Sequence, residues 1–111
     1  APGFGIGIAV EADTAVTGNV VEGAPRYGMM LGWGVFLRNV VATGNVVRDC
    51  PEGFAVSVVE GAGTAVIADN VIHGAQRGVV GYRWAERVTE DLAAGDAARF
   101  GHLSVERNQV G

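Results

Sequence analysis

Four aromatic residues and three arginines are the side chains of this 111-residue chain best suited to touching a ligand. Tyr27, Trp33, Tyr82 and Trp84 flank turns or loops, where flat rings can stack on sugar faces. Arg26, Arg38 and Arg83 stand beside them as donors to hydroxyl groups. The opposing reading is packing: Trp33 follows the inward slots of an alternating strand, and Tyr27 covers a one-residue bulge. The sequence leaves both readings open.

The acids offer less. Hydrolysis of a polysaccharide needs two carboxyls, roughly 5–5.5 Å or 6.5–9.5 Å apart. The acids within the repeat described next are Glu11, Asp13, Glu22, Asp49, Glu52, Glu60 and Asp69. Asp13 and Glu60 fall in corresponding regions two repeats apart, with Glu11 near Asp13, but no column stacks carboxylates on neighbouring repeats. A lyase would need an arginine or lysine base beside calcium held by clustered carboxylates, and no such cluster is written here. His73 and His102 do not form a spaced pair, and Cys50 is the single cysteine, so no metal site, internal disulfide or cofactor is implied.

Composition narrows the class. A net charge of −4 argues against a nucleic-acid partner. No apolar run approaches the roughly 18 residues that span a bilayer. Hydrophobic residues at 49% and charged residues at 18% belong to an ordered chain, and 18 glycines against 3 prolines point to many tight turns. The chain opens on Ala1-Pro2-Gly3 with no secretory leader, and we expect it to be a piece of a longer protein.

What must position these residues is a repeat. Gly3, Gly28, Gly53 and Gly78 recur every 25 residues, and Asn19, Asn45 and Asn70 follow in step, with Asn108 delayed by an insert within 84–102. Within each repeat the hydrophobic period is two: Phe4, Ile6, Ile8 and Val10 alternate with small residues, as do Phe54, Val56 and Val58, and Met29 and Leu31 lead to Trp33. A second short strand precedes each asparagine and a third follows it. Three short strands bury nothing alone but form a continuous core when stacked. We therefore expect a single all-β domain over 1–111, a parallel β-solenoid of about four triangular coils. Residues 84–102 would form a capping insert that can include a short helix, with Thr89 capping a turn that begins at Glu90-Asp91 and Gly95 breaking any longer helix.

The columns of this alignment carry physical sense. Val21, Val47, Ile72 and Val110 stack inward, and Ala24, Cys50 and Ala75 form a small inward column. Asn19, Asn45, Asn70 and Asn108 would form a ladder at one bend, because an amide both donates and accepts. Glu22, Arg48 and His73, and Arg26, Glu52 and Arg77, would form outward charged columns. Two further outward columns, Ala15-Val41-Val66-Ser104 and Val20-Val46-Val71-Gln109, are more apolar than a lone solenoid needs, which points to self-association or burial against upstream coils.

Repeats of the form glycine, apolar-small alternation, then x-N-x-[VI]-x-G resemble the right-handed parallel β-helix repeats of the pectin-lyase-like superfamily over residues 3–82 and 103–111. The stretches APRYGMMLGWGVFLRNVVATGNVVRD, GFAVSVVEGAGTAVIADNVIHGAQRGVV and DAARFGHLSVERNQV are similar to the C-terminal part of repeat proteins exported through the twin-arginine pathway. The resemblance implies right-handed coiling and a periplasmic or extracellular location, and it brings no catalytic residues. Two functions are expected: a non-catalytic structural or polysaccharide-binding module, or part of a carbohydrate-active enzyme with its site on the outer face.

Overall fold

The period-two segments become strands that stack in parallel rather than folding back as hairpins. A computed structural model describes residues 6–95, 97 and 100–111. Sheet A contains β1 (Ile6–Val10), β4 (Tyr27–Leu31), β7 (Glu52–Ser57) and β10 (Arg77–Arg83). Sheet B contains β2 (Ala12–Thr17), β5 (Arg38–Thr43), β8 (Ala65–Ala68) and β12 (Leu103–Glu106). Sheet C contains β3 (Val20–Glu22), β6 (Val46–Arg48), β9 (Val71–His73) and β13 (Gln109–Val110). The chain visits A, B and C in turn, giving a parallel β-solenoid whose four rungs per sheet span about three turns.

The core fills the triangle between the sheets. Met29, Phe54 and Val79 stack from sheet A, Val40 and Ala65 from sheet B, and Val47 and Ile72 from sheet C, all fully buried. Each large aliphatic or aromatic side chain so placed contributes roughly 1.5–3 kcal/mol. Cys50 is buried beside them, its thiol donating to the Arg48 carbonyl at 3.3 Å.

At the bend between sheets B and C the asparagines form a continuous ladder. Asn45 Oδ1 accepts from Asn19 N and Nδ2, Asn70 Oδ1 from Asn45 N and Nδ2, and Asn108 Oδ1 from Asn70 N and Nδ2, all at 2.9–3.2 Å. The second amide hydrogen of Asn45, Asn70 and Asn108 reaches back one coil, to the carbonyls of Val16, Ala42 and Ile67. Asn19 turns instead to its own Thr17 carbonyl. Each ladder residue follows one in the left-handed region: Gly18, Gly44, Asp69 and Arg107, with φ of 53–68°. Where that residue is not glycine, the strained positions pair with each other, Arg107 gripping Asp69 through Nε at 2.8 Å and Nη2 at 3.1 Å.

Three expectations need correction. The glycine that pairs with Gly28 is Gly7, because Ile6 pairs with Tyr27 and Ile8 with Met29; Gly3 lies outside the described residues. A four-residue slip leaves a period-two pattern unchanged, and the first coil is shorter at one corner, with only Glu11 between β1 and β2. Arg26 does not join the charged column: Tyr27 occupies that slot opposite Glu52, which in turn pairs with Arg77. The extra residue of the second repeat is therefore in register and Arg26 precedes it, whereas Glu22, Arg48 and His73 do align, with Arg48 3.2 Å from Glu22.

The third correction concerns the insert. It forms β11 (Glu86–Asp91), antiparallel to β10, then a 3-10 turn at Leu92–Ala94. The capping residue is Asp91, not Thr89. The Asp91 carboxylate accepts from Gly78, Val79 and Ala93 N–H groups, while Thr89 Oγ1 accepts from Gly81. Both side chains thus satisfy donors on the last rung of sheet A. Leu92 and Ala97 are buried against the end of the core.

The ladder predicts unequal costs. Asn70→Ala strands the buried Asn45 N–H and Ala42 carbonyl and should cost about 2–4 kcal/mol in urea denaturation. Asn19→Ala, at the ladder's end, should cost under about 1 kcal/mol. Equal losses would show that the ladder is not a cooperative support.

Candidate functional site

Every long connection lies at the corner between sheets A and B. Glu11 alone turns the first coil; residues 32–37, 58–64 and 84–102 turn the next three. The second loop leaves β4 at Gly32, whose φ of 79° throws Trp33 out of the strand alternation. Trp33 is consequently 37% exposed rather than an inward residue. A 3-10 turn, Gly34–Phe36, follows, with Leu37 buried as its anchor. Ser57 Oγ donates to the Gly34 carbonyl at 2.6 Å, tying this loop to β7.

The β10–β11 hairpin meets it. Trp84 sits in the turn with φ of 56°, a left-handed conformation costly for a bulky residue. Its indole lies on Gly34, where any Cβ would overlap the ring. Trp33 and Trp84 meet edge to face with centroids 5.7 Å apart, and Phe36 joins Trp84 at 6.5 Å. Trp84 and Phe36 remain 41% and 57% exposed. Phe36, which sequence patterning alone did not single out, is thus the most open ring of the group; the Gly-Trp-Gly run just before it, whose glycines take positive φ and end the strand, is the signal that could have found it.

Tyr27 and Tyr82 form a second edge-to-face pair, 5.4 Å apart, over the outer face of sheet A. Tyr82 donates to Glu52 Oε1 at 2.5 Å, Arg26 donates to the Tyr27 hydroxyl at 2.8 Å, and Arg77 lies 4.0 Å from Glu52. Burial first, and then the neighbouring Glu52 carboxylate, push the Tyr82 phenol well above its ordinary value. Tyr27, Trp33, Tyr82 and Trp84 line one depression with Met30, Ala55 and Ser57. Its volume of about 10 Å³ is what a single water requires. These rings fill the space they surround.

Room exists next door. Val35, Phe36, Leu37, Glu11, Ala12 and Arg38 line an open groove of about 380 Å³, with Gly61 and Gly63. Arg38 is committed to Asp13, and Asn39 Nδ2 also donates to that carboxylate at 3.0 Å. Both contacts hold Asp13 below the usual carboxylate range. Arg83 stands opposite Glu86 across the hairpin and lines neither depression.

Asp69 is likewise lowered by Arg107, and Glu90 by Arg77 and Arg87. A glycosidase's acid requires the opposite shift. Among the described residues there is no group of three or more side chains suited to a metal ion. His73 stacks beside Arg48, and His102 Nε2 is 2.9 Å from the Ser57 carbonyl. The arrangement suits recognition by stacking and hydrogen bonding. No model of a protein family, no curated protein and no solved structure matches the chain.

The Tyr82 shift has a definite sign. Its protonated form contributes stability that is complete below the ordinary phenol value near 10 and is lost as pH rises towards the higher folded value. Tyr82→Phe should cost about 1–2 kcal/mol near neutrality, and the gap to wild type should narrow above about pH 10. Thermal melts across that range would show a constant gap if the hydroxyl has no such role.

Proposed function

We propose that this chain is a non-catalytic glycan-binding module of an exported protein, with its binding surface at the sheet A–B corner. The single observation that carries the reading is Trp84. A bulky aromatic held in a left-handed turn, laid on a glycine and left 41% exposed beside Trp33 and Phe36 is costly for folding alone. Such a platform suits the apolar faces of sugar rings, and the adjoining groove supplies polar groups for their hydroxyls. The similarity of the repeats to the pectin-lyase-like superfamily and to twin-arginine-exported proteins supports the polysaccharide and extracytoplasmic parts of this reading. Tyr27 and Tyr82 line the same depression as Trp33 and Trp84, and Arg38 borders the groove.

Affinity electrophoresis or a glycan array tests it. Phe36→Ala and Trp84→Ala should each weaken retention about two- to tenfold. Phe36→Ala should leave the melting temperature nearly unchanged, since that ring is the more exposed. Absence of glycan binding by the wild type, or unaltered binding in both variants, sinks the proposal.

A separate observation favours self-association as a second reading. Val20, Val41 and Val71 are 71%, 37% and 43% exposed, in columns that run across sheets C and B. Light scattering should find an oligomer that Val20→Ser or Val71→Ser weakens; a monomer at high concentration would remove this reading.

A further inference from the structure

We infer that the corner groove selects a cationic amino-sugar chain over neutral or acidic glycans, with the Glu11 carboxylate receiving the sugar ammonium group; this rests on the glycan-binding reading above. The groove's volume of about 380 Å³ lies within the range of small-ligand sites. Its charge decides the ligand. Arg38 is the groove's cation, but Asp13 neutralises it through contacts to both carboxylate oxygens, and Asn39 takes up a further lone pair. Glu11 is exposed and makes no ion pair among the described residues, so the charge left over at the groove is negative. The chain as a whole carries −4, which adds to the same field.

Each glycan class meets this surface differently. A uronate would face Glu11 with like charge and find the guanidinium already taken. A neutral sugar would hydrogen-bond to Glu11 without charge assistance. An ammonium group forms the charge-assisted bond, the stronger kind. Phe36 adds to the preference, because the face of an exposed ring accepts both the apolar face of a pyranose and a cation. Gly61, with φ of 91°, and Gly63, where a Cβ would stand 2.9 Å from the Leu37 carbonyl, keep side chains out of the space beside the groove.

Calorimetric titration of the whole chain with three oligomers of equal length separates the outcomes. These are glucosamine, N-acetylglucosamine and galacturonate oligomers, at mildly acidic pH where the amines are protonated. The glucosamine oligomer should bind about tenfold tighter than its acetylated counterpart. Glu11→Gln, at an exposed position, should abolish that preference, and high salt should reduce it. Phe36→Ala should weaken all oligomers that bind. Equal binding of the amine and its acetylated form, tighter galacturonate binding, or a preference that survives Glu11→Gln overturns the amino-sugar inference while leaving glycan binding intact. Failure of all three oligomers to bind overturns both.

Discussion

Everything in this fold hangs on the bend between sheets B and C, where the chain must turn sharply once per coil with its polar groups removed from water. Asn45 and Asn70 are 1% exposed, and an unpaired amide in such a place costs about 1–3 kcal/mol. The ladder avoids that cost on both interior rungs, because the Oδ1 of Asn45 and of Asn70 takes two donors from the preceding coil and each Nδ2 gives one hydrogen along the stack and one to a carbonyl. No other side chain of this size both donates twice and accepts. The ladder also fixes the stagger: once Asn45 sits on Asn70, Val46 must sit on Val71 and Val47 on Ile72. Core stacking in sheet C therefore follows from a hydrogen-bonding constraint.

With one corner locked, variation is left to another. The A–B corner is turned by Glu11 alone in the first coil and by residues 84–102 in the last, and both long loops that carry exposed aromatics arise there. Trp33 and Phe36 come from the second coil and Trp84 from the fourth, yet they meet as consecutive edge-to-face pairs. Stacking at about 4.8 Å per rung brings such residues within side-chain reach. The same hairpin that delivers Trp84 closes the lower edge of sheet A, where Thr89 and Asp91 satisfy three of its N–H groups. An exposed edge invites pairing with other chains. End protection and presentation of the aromatic surface are thus performed by one segment.

Charge follows the same economy. Four acids are engaged with arginines: Asp13 with Arg38, Glu22 with Arg48, Asp69 with Arg107 and Glu90 with Arg77. These exposed pairs steady register more than they add stability. Two of them, Asp13–Arg38 and Asp69–Arg107, lie at residues that adopt left-handed backbone on one or both sides of the pair, so the pairing sits at turns the side chains must hold. Glu11 has no such partner among the described residues, and with Arg38 taken up by Asp13 the charge left at the corner groove is negative.

By itself the sequence determined the parallel solenoid, the three strands per coil, the inward aliphatic column and the apolar outer columns at Val20-Val46-Val71 and Ala15-Val41-Val66. These follow from period and spacing, which read directly as facing and register. It also pointed to Tyr27, Trp33, Tyr82 and Trp84. Only tertiary structure decided which glycine begins the sheet A column, because a slip of four residues preserves a period of two. Only tertiary structure put Tyr27 and not Arg26 beside Glu52, turned Trp33 outward at Gly32, made Asp91 the cap, and brought Phe36 into the aromatic group. Those outcomes depend on corner lengths and on left-handed residues, which change where a side chain points without altering the hydrophobic pattern that encodes the coils.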